Sequence, residues 1–314
     1  MFEEILQAIK EHQRIIIHRH NNPDGDAMGS QIGMKNIIKD NFPEKEVYAV
    51  GDEPKRFAFM DGSEMDEIED SLYEGALAII LDCGASSLIS DERYKKAAKT
   101  VRIDHHIFGE KIADVEVVDT SYESCCGEVT EFALESGLAL SPASAKALYT
   151  GMVTDSGRFR YDSTSSNTFR LASELLKQKF DLNGLYAQLY ADDFNYVRLR
   201  AQFVLKIQFT DDGVAYIYTT KEELPTYGVD TFTISRGMVA TMADLRGVDI
   251  WVNFTETENG VLVEIRSNKH TVQHIAVKYG GGGHAKACGA TVKDRETAMA
   301  LLEDLNKIRR ENVQ

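Results

Sequence analysis

The chain has 314 residues, of which 43% are hydrophobic and 27% charged, and its net charge is −15. That length allows two domains, each with its own core, and the composition excludes wholesale disorder. The negative charge opposes a broad phosphate-binding surface and disfavours tight binding to long nucleic acid, although a small phosphorylated substrate can still be held in a local pocket.

The first residues, FEEILQAIKEHQ, read as an acidic amphipathic helix rather than a leader peptide. Ile15–Ile17 then form a buried-type strand, because a continuous β-branched run suits a sheet covered on both faces. The strand runs into His20, and Pro23 and Gly25 place Asp24 and Asp26 on the turn that follows. A helix is expected over 27–40, and a short strand over 47–50. The acidic stretch Asp61–Asp70 reads as a solvated surface segment. A second buried-type strand over 76–81 delivers Asp82, and a helix over 89–99 leads to a strand over 100–103. That strand ends in Asp104, His105 and His106. A strand over 115–118, a helix over 126–136 and a helix opening at Pro142 follow; the last ends in TDSGRFRY with Asp155 and Arg158.

This alternation predicts an α/β fold with a mostly parallel sheet and right-handed crossovers up to about residue 160. Helices dominate from 165 to 206, with an interdomain connection around 191–200. From Gln208 onward the pattern changes to alternating strands. Asn259 and Gly260 form a hairpin signal between two of them. The expected domains are therefore 1–190 and a smaller α/β unit with a mixed sheet over 201–314, joined by 191–200. Cys83, Cys125, Cys126 and Cys288 make no CxxC pair and read as reduced cytosolic thiols. The apolar runs are too short to span a bilayer, so a cytoplasmic protein without membrane association is expected.

The polar residues at strand and helix ends form one set: His20, Asp24, Asp26, Asp82, His105, His106 and Asp155. Each alone has an ordinary explanation as a cap, turn former or core histidine. Jointly they collect where open α/β sheets bind ligands, outside the carboxyl ends of the strands. Four Asp with one or two neutral His favour Mn²⁺ or Mg²⁺ over a thiolate zinc site. Six ligands suit two ions about 3.5–4 Å apart that share a carboxylate.

HNNPDGDA at His20–Ala27, LDCGA around Asp82, DHH at Asp104–His106 and TDSGRF around Asp155 occur in the order of the DHH phosphoesterases, which this chain resembles. GGGGHAKACGA at Gly280–Ala290 is similar to the glycine-rich motif of their DHH-associated carboxyl-terminal (DHHA1) domain. Length and domain make-up most resemble the NrnA-type branch of bifunctional oligoribonucleases and pAp phosphatases, which also includes enzymes that cleave the dinucleotide pApA. The resemblance implies one ion at His20, Asp24 and Asp82 and another at Asp26, Asp82, His105 and Asp155, with Asp82 bridging and Mn²⁺ preferred to Mg²⁺. It implies that His106 contacts the scissile phosphate beside the catalytic Asp82, and that Asp104 orients a histidine. The implied substrates are short oligoribonucleotides, pApA and pAp, hydrolysed in a cleft between the domains. A homodimer is the expected assembly.

In the second domain, Gly282 and Gly283 with their neighbours are expected to form an anion-binding nest, and His284 to donate to phosphate. Arg266, on the preceding strand, is a bidentate phosphate donor candidate, in a stretch (264–293) with five Lys or Arg against one acid. Arg158 is a further candidate. The competing readings are an inorganic pyrophosphatase or polyphosphatase, a RecJ-like exonuclease, and a catalytically dead nucleotide sensor.

Overall fold

The computed structural model describes residues 2–311. Two compact units divide between Ala191 and Asp192. The first opens with α1 (Glu3–Glu11), β1 (Arg14–His18), α2 (Gly25–Asn41) and β2 (Glu46–Ala49). It continues with β3 (Leu77–Leu81), β4 (Lys99–Asp104) and β5 (Val115–Val118). Four helices follow to the end of the unit: α3 (Cys125–Glu135), α4 (Pro142–Asp155), α5 (Ser166–Leu176) and α6 (Leu182–Leu189). All neighbouring strands pair in parallel, in the order β2-β1-β3-β4-β5. The order reverses between β1 and β3, so the chain leaves these two strands in opposite directions and opens a crevice at their carboxyl ends.

The run IIIH gives β1 four buried residues, and all five residues of β3 are buried. One face of the sheet packs Ile15, Ile17, Ile79, Leu81 and Ile103 against α1–α4. The other face is covered by Tyr73, Ile89 and Tyr94 on short 3₁₀ turns. The helix expected over 89–99 is therefore absent: the segment holds only 3₁₀ turns at Ser86–Leu88 and Glu92–Lys96. Asp91 accepts from the Arg93 N–H and pairs with its guanidinium, which favours a local turn over a continuing helix.

The contact between α2 and α4 is unusually close because of glycine. A Cβ on Gly25 would stand 2.3 Å from Thr154 Oγ1, one on Gly29 2.6 Å from the Ala147 carbonyl, and one on Gly33 2.6 Å from Leu148. This stripe of three glycines, spaced four residues apart, lets the amino end of α2 lie against the carboxyl end of α4.

The second unit begins with α7 (Phe194–Leu205), so most of the stretch expected as a connection is helix, started by Asp193 accepting from the Asn195 N–H. It continues with β6 (Gln208–Phe209), β7 (Ala215–Thr219), β8 (Ile250–Thr257), β9 (Gly260–Ser267), α8 (Gln273–Lys278), β10 (Gly282–His284), β11 (Ala287–Val292) and α9 (Arg295–Glu311). Its six-stranded sheet is mixed: β7 and β8 are parallel and the other pairs antiparallel. Alternation in β9 puts Val261, Val263 and Ile265 in a core with α8 and α9. Among the described residues, no helix is long and apolar enough to cross a membrane.

Candidate active site

β1, β3 and β4 end side by side and deliver His20, Asp82 and the segment Asp104–His106 to one rim. Asp82 has φ +55, a left-handed conformation costly for a non-glycine residue, and it turns the chain sharply out of β3. Asp24 is the N-cap of α2, accepting from the Asp26 and Ala27 N–H groups. The ordinary explanation for Asp24 therefore holds, and the same carboxylate also faces His20. Asp26, in the first turn of α2, is buried and accepts the Cys125 N–H at 2.7 Å and the Cys126 N–H at 2.9 Å, both from the opening turn of α3. Asp155 closes α4.

The side chains gather into two groups. His20 Nε2 lies 3.8 Å from Asp24 Oδ1 and 3.4 Å from Asp82 Oδ2. His105 Nε2 lies 3.6 Å from Asp26 Oδ2, 3.5 Å from Asp82 Oδ1 and 3.6 Å from Asp155 Oδ2. Asp82 thus presents one oxygen to each group. The ligating atoms of His20, Asp24 and Asp82, and those of Asp26, His105 and Asp155, lie within 4.8 Å of one another. His106, about half exposed, places Nδ1 2.8 Å from Asp104 Oδ1 and 3.6 Å from Asp82 Oδ1. Asp104 is itself held by the buried Arg102 guanidinium at 2.5 Å. The histidine that Asp104 orients is therefore His106.

The electrostatics show a site short of positive charge. Burial raises the Asp26 carboxyl well above its ordinary range, and Asp82 and Asp155 push it further. Burial, aided by the Asp82 and Asp24 carboxylates, lifts Asp155 to about 7. Burial pulls the imidazoles down, yet their carboxylate partners prevail. Asp24 and Asp82 bring His20 to about 11, and Asp82 with Asp26 brings His105 to about 10. Burial also disfavours the Asp82 charge, but the neighbouring His105 and His20 imidazoles hold its carboxyl below the usual range. Asp82 Oδ1 is buried with no hydrogen-bond partner among the described residues. A buried carboxylate oxygen of this kind calls for a cation, and oxygen donors with two imidazoles suit a divalent one. The residues present fit metal ions.

Arg158 stands on the loop after α4, with its guanidinium 4.5 Å from the centre of the Tyr190 ring. His18 is buried on the sheet with its Nε2 3.4 Å from the Tyr73 hydroxyl, and it joins neither group.

Arg266, Gly282, Gly283 and His284 lie together in the second unit. The expected glycine nest is not what forms. Gly280, at φ +79, donates to the Val277 carbonyl at 3.0 Å and Gly281 to the Ala276 carbonyl at 2.8 Å, which closes α8. Gly282–His284 then pair with Ala287–Gly289 as the edge strand β10. A Cβ on Gly281 would fall 2.0 Å from the Gly289 carbonyl, so that glycine is required by close approach. Arg266 bonds the Ile265 carbonyl and pairs with Glu264 at 3.1 Å, and it is a quarter exposed.

Sequence reasoning missed the Arg102 support beneath Asp104 and the glycine stripe of α2. The stripe was visible as Gly25-x₃-Gly29-x₃-Gly33. It also missed the buried Glu128, whose two oxygens lack partners among the described residues and whose carboxyl burial lifts to about 9.

Residues 14–152 match the DHH family, N-terminal domain, and residues 226–311 match the DHHA1 domain. The chain is 34% identical over 315 residues to the bifunctional oligoribonuclease and PAP phosphatase NrnA of Bacillus subtilis, covering 99% of this chain and 100% of that protein. It is 36% identical over 310 residues to the probable bifunctional oligoribonuclease and PAP phosphatase NrnA of Streptococcus mutans, covering 98% and 99%. Among solved structures, an exopolyphosphatase-related protein of Bacteroides fragilis superposes with a TM-score of 0.84 at 24% identity, covering 98% of this chain and 95% of that one, and so shares its fold. With two such relatives matched from end to end, the chain belongs to the DHH family, as a DHH domain followed by a DHHA1 domain.

Proposed function

We propose that the protein is a metal-dependent phosphoesterase that hydrolyses short oligoribonucleotides and dinucleotides such as pApA to mononucleotides, and pAp to AMP. The observation that carries this reading is the pair of His–carboxylate groups joined through the two oxygens of Asp82. The relatives' names supply the substrate class.

His20, Asp24 and Asp82 would hold one divalent ion, and Asp26, Asp82, His105 and Asp155 a second, Mn²⁺ in preference to Mg²⁺. When bound, such a pair supplies Lewis-acid activation of water and neutralises phosphoryl charge. The chain's own residues do the rest. Asp26 is locked by two N–H bonds from α3, so its carboxylate keeps one orientation through turnover. His106, whose imidazole is raised by its bond to Asp104, offers an N–H to a non-bridging phosphoryl oxygen, where charge builds up in the transition state. Attack of water oxygen on phosphorus forms one P–O bond and breaks the ester P–O bond; the leaving oxygen departs with a proton. In the second unit, the exposed edge strand with His284, Gly282, Gly283 and the nearby Arg266 would receive a further phosphate or nucleotide of the substrate.

The test is turnover of pApA, pAp and pyrophosphate by the full chain and by Asp82→Asn, in manganese. The reading expects AMP from the first two substrates, little phosphate from pyrophosphate, and loss of nearly all turnover in the variant with its fold retained. Wild-type activity in Asp82→Asn refutes the mechanism, and a preference for pyrophosphate transfers the chain to the pyrophosphatase reading.

A further inference from the structure

Beside the metal groups, the first unit has a cavity of about 400 Å³ lined by Asp24, Asp155, Arg56, Arg158, Tyr161 and Tyr190, among others. Its two metal-side walls, Asp24 and Asp155, belong to the site described above; the other walls take no part in the metal groups. Among the described residues, neither the Arg56 nor the Arg158 guanidinium has a carboxylate within 4.0 Å, although the chain carries 50 acidic residues against 35 Lys and Arg. Each lies against an aromatic ring instead: Arg158 over Tyr190 at 4.5 Å and Arg56 over Phe57 at 5.0 Å. Stacking fixes the plane of a guanidinium and leaves its N–H edge free to bond an anion. Tyr161 is 61% exposed at the same cavity.

The backbone is bent to present these groups. Gly157, Arg158 and Phe159 have φ of +57, +64 and +61, three successive left-handed residues of which two carry side chains. The turn is anchored by the buried Ser156, whose Oγ accepts the Phe159 N–H at 2.9 Å, and by the Arg158 N–H donating to the Val153 carbonyl at 2.8 Å. Lys55, immediately before Arg56, is also left-handed at φ +49. Strain at both arginine loops, beside a candidate catalytic rim, points to a requirement other than stability.

We propose that this cavity is a nucleotide subsite. Arg56 and Arg158 hold a phosphate next to the one being cleaved, and the nucleotide's base lies on the Tyr161 ring. The proposal rests on the phosphoesterase reading and adds to it the residues that grip the neighbouring nucleotide. A cavity this size takes one nucleotide, so it would favour substrates with a second nucleotide beside the scissile bond.

The experiment uses the full chain and two readouts. In the first, 2-aminopurine riboside 5′-monophosphate is titrated and its fluorescence followed, since stacking quenches it. In the second, KM and kcat are measured for pApA. Wild type should quench the probe. Arg158→Gly, which relieves a left-handed residue, should melt no lower than wild type yet bind the probe about ten- to hundred-fold more weakly, the size of a lost charged hydrogen bond. Arg56→Ala should do the same. In both variants KM for pApA should rise by a similar factor, with kcat changed less. Tyr161→Leu should lose the quench. An unquenched probe with wild type, or unchanged affinity and KM in both arginine variants of an active enzyme, overturns the subsite. Absence of pApA turnover by wild type refutes the phosphoesterase reading instead, so the two failures are distinguishable.

Discussion

Gly151→Ala tests whether the contact between α2 and α4 sets the spacing of the metal groups. A methyl at this position would lie 2.2 Å from Cys126 Sγ, 2.9 Å from Asp26 Oδ1 and 3.0 Å from Asp26 Cα. Both neighbours are buried, and Cys126 donates its N–H to Asp26, so no obstructing atom belongs to a side chain that can swing into solvent. Relief requires α4 to withdraw by about 1 Å to restore ordinary contact. Overpacking of this kind costs about 1–3 kcal/mol, and three unyielding atoms place this case near the top of the range. For a unit of this size that is a fall in melting temperature of about 6–12 °C. The withdrawal carries Asp155, at the end of α4, away from Asp26 and His105, and a misplacement of about 1 Å costs about a hundredfold in rate. Circular dichroism melting and manganese-dependent pApA turnover at saturation measure the two effects. A variant that melts early but turns over normally would show that the helix contact is structural only. One unchanged in both would refute the reasoning altogether.

Asp104→Asn should leave the fold intact, since Arg102 keeps Glu116, and lower kcat about ten- to hundred-fold, because His106 loses its charged anchor; steady-state kinetics with a melting curve check it. Stripping divalent ions with a chelator should lower the melting temperature by about 5–10 °C at ion concentrations that had been a hundred times the dissociation constant, and manganese should restore it. In the second unit, Lys278 and Lys307, with the Tyr279 hydroxyl, hold the Asp304 carboxyl at about 2 against the desolvation that would raise it. A depressed folded value stabilises above the unfolded value of 3.8, and that contribution disappears as pH falls through about 2. Asp304→Asn should therefore melt lower than wild type at pH 6, with the gap narrowing as pH falls below about 4; a gap independent of pH would refute the ion-pair account.

Much of the first unit was readable because its signals are local. Ile15–Ile17 and Ala76–Leu81 are unbroken apolar runs, and each hands its polar residue to the end of a parallel strand, which is why the sequence alone places His20 and Asp82 on one rim. What escaped depends on contacts distant in sequence. The stripe Gly25, Gly29, Gly33 has meaning only once Thr154, Ala147 and Leu148 face it. Arg102 reads as one more charge in a strand until Asp104 and Glu116 close around it. The 3₁₀ turns over 86–96 passed for a helix because Asp91 and Arg93 satisfy each other locally, a competition that periodicity does not register. The glycine run misled in another way. Four glycines suggest exposed N–H groups, but the first two are taken up in stopping α8 and the next pair β11.

The charge pattern explains how so acidic a chain accepts phosphate. Asp24, Asp26, Asp82 and Asp155 gather four carboxyl groups at the proposed substrate site, and burial with mutual repulsion already raises Asp26 and Asp155. The two divalent ions of the proposed function would balance four carboxylate charges, and positive charge beyond that would come from Arg56 and Arg158, which have no carboxylate within 4.0 Å among the described residues, and from His106 when protonated on Asp104. Within the first unit, attraction to phosphate is thus centred on the rim of the proposed metal site, over a distance no longer than the Debye length of about 8–10 Å.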